Sequence, residues 1–582
     1  MIEPRYRWRF PDPRPLDRAH LAAARDRGLS DRVAGLLAAR GVAGPADLDA
    51  FFGPPSAGFH DPGLLPDADR VVDRVRRARA AGDGILVCGD FDADGITGLA
   101  VLVRTFRALG LDAAPYVPSR IAEGHGLSAR AVERAVADGR SLIVTVDCGS
   151  SSPDEVELAR AAGVDVIVTD HHHVPDRAPR ALALVNPQRP DAVYPDRRLA
   201  GTGVALVVAR LLLGELGGDA AAALELADLA TIGTVSDVAP IIGENRAIAR
   251  LGLEILRQRP RPGIEALLTR AGVRRETLDL ETVAFQVAPR LNAAGRVGDT
   301  ADAVALLLAD DPELAAVAAD GLESANRLRR ELLRDALEGA RATLLADPAA
   351  ATRPAVLVHG PWPAGIVGLI AARLAEERRR PAVVAAELDG VLRASCRSAG
   401  GVDLAGALEA CSDLLIRHGG HRAAAGFEIA PERWDAFVLR FSGIAAEAAP
   451  ADPRPELALD LAMPSTELGY GLVAELAALD PTGPGNPPPV VGVLGMTVTR
   501  VRAASGGHTQ LTLRRDRDVV DGIAFGRDDL ATTLREGDRL DVAARVAVRR
   551  FGGYDSLQLE VRDVALSGSH PDAAALLATM NA

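Results

Sequence analysis

The sequence predicts an α/β protein: a domain on a parallel sheet, a long connecting helix, a second α/β domain and a small all-β barrel. Three observations predict it. Apolar runs "GILVCGD", "SLIVTVDCGSS" and "VDVIVTDHHH" alternate with helix-forming stretches, the pattern of a parallel sheet. Residues 301–345 are almost all helix formers with few breakers in the later part, as a connecting helix requires. From about residue 455, short strand-like runs follow at near-regular spacing, which indicates a barrel.

Taken in order, residues 1–75 are an N-terminal region rich in Pro and Arg, with short helical pieces. Residues 76–300 form the expected catalytic domain. "GILVCGD" is a buried strand stopped by Gly and Asp. In the next stretch Leu99, Leu102, Val103, Phe106 and Leu109 recur at helical spacing, and Gly110 is a stop. The second strand ends in Asp147, a short helix opens with Ser-Pro-Asp, and the third strand ends in Asp170. A helical region over about 202–272 contains "GTVSDVAP", with Asp237 expected in a loop. The connecting helix covers 301–345, the second α/β domain 346–450, the barrel 455–568 and a tail 569–582.

The chain of 582 residues is 48% hydrophobic, enough for three or four cores. It shows no signal-like apolar core at its start and no apolar run long enough to span a bilayer. The four cysteines, Cys88, Cys148, Cys396 and Cys411, lack metal-ligand pairing and read as free thiols in a reducing cytoplasm. The net charge of −13 argues only weakly against nucleic acid, because a basic groove can sit in an acidic protein. There is no lysine, so phosphate contacts must come from arginine forks, backbone amides or metals.

The stretch "VCGDFDADGITG" packs Asp90, Asp92 and Asp94 together directly after a strand. Like charges this close repel unless a cation sits among them. A calcium loop is excluded, since its twelfth position is Val101 rather than Glu. In open parallel sheets ligands gather at the carboxyl ends of strands, and three successive strand ends here carry acids or histidines. Asp92 and Asp94 share a side in an extended stretch, Asp147 and His171 reach from neighbouring strand ends, and Asp237 closes the site. Such a set can hold two metals about 3.5–4 Å apart, the spacing used for phosphoester cleavage. Carboxylates with one or two imidazoles suit Mn²⁺ or Mg²⁺.

"GDFDADG", "VDCGSS", "DHH" (Asp170 to His172) and "GTVSDVAP" resemble motifs I to IV of the DHH phosphoesterases. "YVPSRIAEGHGL", "LAGTGVA", "VAPRLNAAGR", "GGHRAAAGF" and "LDPTGPGNPPP" extend the resemblance, over about 45–565, to the RecJ family of single-stranded-DNA exonucleases. It implies a DHH domain, a long helix, a DHH-associated domain completing the cleft and an OB-fold. It implies metal ligands at Asp90, Asp92, Asp94, Asp147, His171 and Asp237, with His172 a ligand or close partner able to protonate the leaving oxygen. Substrate contacts are implied at Arg120, Arg290, Asn292, Arg296, Ser395, Arg397 and His421, with Ser395 and Arg397 on the terminal 5′ phosphate. The implied activity is 5′→3′ release of mononucleotides from single-stranded DNA in recombination and repair. A monomer is expected, with a single-strand-binding protein and a RecQ-type helicase as partners and no membrane.

Three positions depart from the family pattern: Cys88, Pro363, and Cys396 where Gly is usual in the 5′-phosphate motif. In the barrel, Arg514, Arg515, Arg549 and Arg550 supply charge, and Phe525, Phe551 and Tyr554 are the aromatics. Phe525 suits stacking on a base and filling the core equally. Alternative readings are a DHH phosphodiesterase for short oligonucleotides or cyclic dinucleotides, and a non-catalytic replication scaffold. The long helix and barrel argue against the first, and the intact carboxylates and DHH histidines against the second.

Overall fold

The computed structural model describes residues 2–575 apart from positions 13–14, 389, 400, 451, 453, 552–553, 571 and 574. Most of the expected tail, and the side chains of Arg550, Phe551 and Tyr554, therefore lie outside the described residues. The chain forms two compact units: residues 58–453, and residues 1–57 together with 454–582. Among the described residues no helix is long and apolar enough to cross a membrane.

The larger unit opens on a five-stranded, all-parallel sheet. Its strands lie in the order Ala113–Tyr116, Ile85–Gly89, Leu142–Val146, Asp165–Thr169, Ala183–Val185. Both faces are covered, which is why the strands read as continuous apolar runs. In Ile85–Gly89, Ile85 and Val87 join the core beneath helices Ala68–Ala81, Ala93–Ala108 and Gly201–Gly217. Leu86 and Cys88 face the opposite side with helices Ala129–Ala137 and Pro153–Ala161. Cys88 thus fills core rather than cleft. The chain leaves Ile85–Gly89 for one neighbour and returns to the other at Leu142–Val146. That reversal of strand order opens a crevice at the carboxyl ends of these two strands, the expected ligand position.

The helical stretch expected over 301–345 is two helices, Ala301–Leu308 and Pro312–Ala346. The break is set by Asp311, whose carboxylate accepts the N–H groups of Glu313 and Leu314, with Pro312 at the first helical position. The 35-residue second helix leads to a mixed sheet in the order Leu415–Gly420, Ala424–Ile429, Val391–Arg397, Ala382–Leu388, Val356–Gly360. Along Val391–Arg397, Leu392, Ala394 and Cys396 are buried while Ser395 and Arg397 lie on the open face, the period of two expected of a strand.

In the smaller unit five strands close on themselves: Val491–Ala504, His508–Arg515, Asp518–Ala524, Tyr554–Leu566, Arg539–Phe551 and back to the first. A register shift between Val493 and Met496, with Gly495 at φ 77°, bends the first strand so that it pairs on both sides. Residues 1–57 are not a separate body, because Leu29, Val33, Leu37 and Leu48 share the barrel's core cluster.

Candidate metal centre and phosphate site

Each carboxylate at the crevice is held by local structure. Asp92 caps helix Ala93–Ala108, accepting the N–H groups of Asp94 (2.9 Å) and Gly95 (3.2 Å). Asp94 is docked on a different helix: its two oxygens accept the N–H groups of Gly201 (2.8 Å) and Thr202 (2.9 Å) at the start of Gly201–Gly217. Those amides and the helix dipole compensate its burial in part. Asp147 sits just past its strand at φ 60°. A Cβ on Gly201 would lie 2.5 Å from the Asp147 side chain, so the "AGTG" turn is glycine because the carboxylate occupies that space.

The donors converge as the sequence predicts. Single donor atoms of Asp90, Asp92 and Asp147 lie within 4.8 Å of one another, and so do those of Asp94, His171 and Asp237. His171 Nε2 is 3.0 Å from Asp147 Oδ1, which joins the two triads. Asp147 also groups with His171 and His172. Asp90 Oδ1, Asp147 Oδ1 and His171 Nε2 are buried and make no well-formed hydrogen bond among the described residues; their near neighbours at 3.0 Å are members of the same cluster, His125 Nδ1 for Asp90 and the Asp147–His171 pair for each other. Orphaned buried donors of this kind are costly, and a divalent cation relieves them.

The electrostatics agree with a cation site. Burial, then neighbouring carboxylates, hold Asp94 and Asp147 well above the ordinary carboxylate range. Burial and Asp92 push Asp237 up to about 7. Burial and the nearby His172 push His171 down to about 4, leaving it the neutral imidazole a metal requires. Burial works against a charge on His172 too, but its hydrogen bond to Asp170 (2.8 Å) and that carboxylate's charge outweigh it and lift His172 to about 9. Carboxylates with imidazole are the donor set of Mn²⁺ and Mg²⁺, and the residues present fit two such ions.

The arginines fall into two groups. Arg120 lies over the Phe91 ring at 4.8 Å, and its loop is pinned by Glu123, which accepts from Tyr116 Oη (2.7 Å), Ser128 Oγ (2.6 Å) and Ser119 N (2.8 Å). Arg296 donates to the Gly365 carbonyl at 3.4 Å. Arg397 donates to Ser395 Oγ (3.1 Å) and the Cys396 carbonyl (2.8 Å). None of these three has a carboxylate partner among the described residues. Burial and mutual repulsion, with Arg120 the first neighbour, push Arg296 down to about 10. Unpaired guanidinium groups this close constitute an anion site.

Arg290 and Asn292, both expected to contact substrate, have partners within the fold. Arg290 is paired with Glu323 at 2.7 Å and donates to the Gln286 carbonyl, so its fork is already occupied. Asn292 uses both ends of its amide: Oδ1 accepts from Ala93 N (2.8 Å) and Nδ2 donates to Ser236 Oγ (3.0 Å). It clips the aspartate-rich loop to the turn carrying Asp237. His421 is exposed in the turn between two strands of the second sheet, where its N–H donates to the Ala424 carbonyl (2.8 Å), and among the described residues its side chain makes no hydrogen bond to this cluster.

Sequence reasoning missed three contributors. Asp170 orients His172 and accepts from Ser150 N (2.9 Å). Asn186 ties Ser150 Oγ (3.0 Å) to the His172 carbonyl (2.9 Å). His125 Nδ1 lies 3.0 Å from Asp90 Oδ1. Asp170, the first residue of the quoted "DHH", and His125, inside the quoted "EGHGL", carried a local signal, and Asn186 carried none. In the barrel, Phe525 is 57% exposed and edge-on to His508, so it is not core.

Comparison with known proteins agrees with this geometry. Residues 84–234 match the N-terminal domain of the DHH family, 352–447 the DHHA1 domain and 459–563 the RecJ OB domain. The chain is 33% identical over 541 residues to the single-stranded-DNA-specific exonuclease RecJ of Bacillus subtilis, covering 92% of this chain and 68% of that one. Against RecJ of Dickeya dadantii it is 34% identical over 553 residues, covering 90% and 94%. The crystal structure of Thermus thermophilus RecJ with Mn²⁺ superposes with a TM-score of 0.82 at 31% identity, covering 97% of this chain and 81% of that one. The same protein with Mg²⁺ gives 0.76 at 30% identity, covering 97% and 80%. The chain belongs to the RecJ family of DHH-domain exonucleases.

Proposed function

We propose that this chain is a single-stranded-DNA-specific exonuclease. It degrades strands 5′→3′ to 5′-mononucleotides in recombination and repair. The observation that carries this reading is the junction of two carboxylate triads at Asp147 and His171, with Arg120 and Arg296 within electrostatic reach of Asp92.

Asp90, Asp92 and Asp147 would hold one divalent ion, and Asp94, His171 and Asp237 the other. When bound, two such ions lower the pKa of water and neutralise charge on a phosphoryl group in flight. Arg296 and Arg120 bind the scissile phosphate and hold it against the carboxylate cluster. Ser395 Oγ and the Arg397 fork take the terminal 5′ phosphate, one nucleotide away, and that spacing sets polarity and mononucleotide release. His172, kept as imidazolium by Asp170, gives its proton to the leaving 3′ oxygen. The exposed Phe525 offers a stacking face for a base of the incoming strand.

The catalytic domain is taken as 76–300, the 5′-phosphate domain as 346–450 and the barrel as 455–568. The enzyme works in the cytoplasm as a monomer, fed by a RecQ-type helicase and a single-strand-binding protein. The test is degradation of a 3′-labelled, 5′-phosphorylated single strand with Mn²⁺ or with EDTA, beside Asp147→Ala. Stepwise shortening from the 5′ end that needs both the metal and Asp147 is expected. A wild-type chain inert in Mn²⁺ and Mg²⁺ overturns the reading.

A further inference from the structure

One arginine of the larger unit is left unexplained by the site above. Arg329, on helix Pro312–Ala346, is half-buried, and its Nε is buried with no hydrogen-bond partner. Its Nη2 donates to the buried Asn326 Oδ1 at 2.9 Å. It has no carboxylate partner among the described residues. The neighbouring acid, Glu323, is already shared by Arg290 (2.7 Å) and Arg330 (3.4 Å). A guanidinium that is partly desolvated, fixed by a buried amide and denied an acid is held ready for an anion from outside.

Its place along the cleft follows from helix register. The Arg290–Glu323 pair locks helix Ala288–Val297 against the long helix. Val297, the residue after Arg296, packs in one cluster with Leu332 and Leu333, one turn on from Arg329, which brings the Arg296 end of its helix to the Arg329 turn of the long helix. Arg296 and Arg329 repel each other accordingly. Arg296 donates to the Gly365 carbonyl at 3.4 Å, and a Cβ on Gly368 would lie 3.0 Å from Arg397 Nη2, so Arg296 and Arg397 border the same short segment, 365–368. Arg296 thus stands between two neighbours, Arg397 across the 365–368 segment and the Arg329 turn of the long helix on its other side. A row of forks along a cleft matches successive phosphates of one strand.

We propose that Arg329 is a further substrate-binding residue, holding the phosphodiester on the 3′ side of the scissile one. The enzyme then grips the strand one step beyond the nucleotide it removes. This rests on the exonuclease reading, in which Ser395 and Arg397 take the 5′ end.

The test compares wild type, Arg329→Gln and Arg329→Lys on a long 5′-phosphorylated single strand and on a 5′-phosphorylated dinucleotide, which has no phosphate beyond the scissile one. Two results are expected of Arg329→Gln. The ratio of kcat/KM for the long strand to that for the dinucleotide falls about tenfold. The slope of log KM against log salt flattens by about 0.7, one single-strand phosphate contact. Arg329→Lys restores most of the slope. Equal losses on both substrates indicate a structural role and overturn the assignment, as does a wild-type slope and ratio in Arg329→Gln. A wild-type chain that degrades neither substrate refutes the exonuclease reading instead.

Discussion

At the scale of single residues, the centre depends on what is small as much as on what is charged. Gly201 is the sharpest case, because a methyl group there would sit 2.5 Å from Asp147 Cβ and 2.6 Å from its Oδ1. Gly201→Ala favours the helix slightly but must displace the carboxylate that joins the triads. Mn²⁺ binding measured by calorimetry is expected to weaken tenfold or more, exonuclease activity to fall with it, and the circular dichroism to stay unchanged. Retained Mn²⁺ affinity would mean that Asp147 can move without loss. Asp92, Asp94, Asp147 and His171 were legible in the sequence because donors at successive strand ends stand out by spacing, whereas the role of His172 came only with the family resemblance. Arg290 and Asn292 were not legible. Whether a fork or an amide is free depends on partners such as Glu323 and Ser236, which only folding brings near.

At the scale of elements, strand alternation decides what a substitution means. Cys396 stands where the family usually has Gly, between Ser395 and Arg397, and in sequence it could crowd the 5′-phosphate pocket. In the strand Val391–Arg397 it is fully buried on the far face, packed in the core of the second sheet, so the two faces do separate work. Cys396→Gly is expected to cost about 1–3 kcal/mol in urea denaturation, from lost packing and weaker strand propensity. The preference for 5′-phosphorylated over 5′-hydroxyl ends should stay as in wild type. A changed preference with unchanged stability would put the side chain in the pocket after all. Strands, helices and the barrel were legible because their periodicities are local. The break at 309–311 was also written in the sequence, as Asp311-Pro312, but helix propensity on either side masked it. The closure of the barrel was beyond local reading, since the pairing of Val491–Ala504 with Arg539–Phe551 joins distant segments.

At the scale of the whole molecule, two units with separate cores share one chain, and only the larger carries the metal centre. The discontinuous smaller unit was not legible, because Leu37 and Leu540 meet in one core from opposite ends of the chain. Calorimetry of the chain should therefore show two transitions that answer differently to metal and pH. In the metal-free larger unit Asp237 is lifted to about 7, so the folded state keeps a proton that the unfolded chain releases above about pH 4. Its contribution makes stability fall as pH rises from about 4 to about 7. His172, lifted to about 9, stabilises below its unfolded value near 6.5 and loses that contribution as pH rises through 9. The two slopes have the same sign, so the metal-free larger unit should melt lower at pH 8.5 than at pH 6. Mn²⁺ replaces the protons as the compensating charge. At a concentration a hundredfold above its dissociation constant at pH 6 it adds about 2.7 kcal/mol per site, and the same concentration adds more at pH 8.5 because metal and proton compete for the same carboxylates. The expected record is one transition that moves up with Mn²⁺, most at high pH, beside one that Mn²⁺ leaves in place. A barrel transition that shifts equally with Mn²⁺, or a catalytic unit that does not shift at all, would remove the metal centre from the account of this fold.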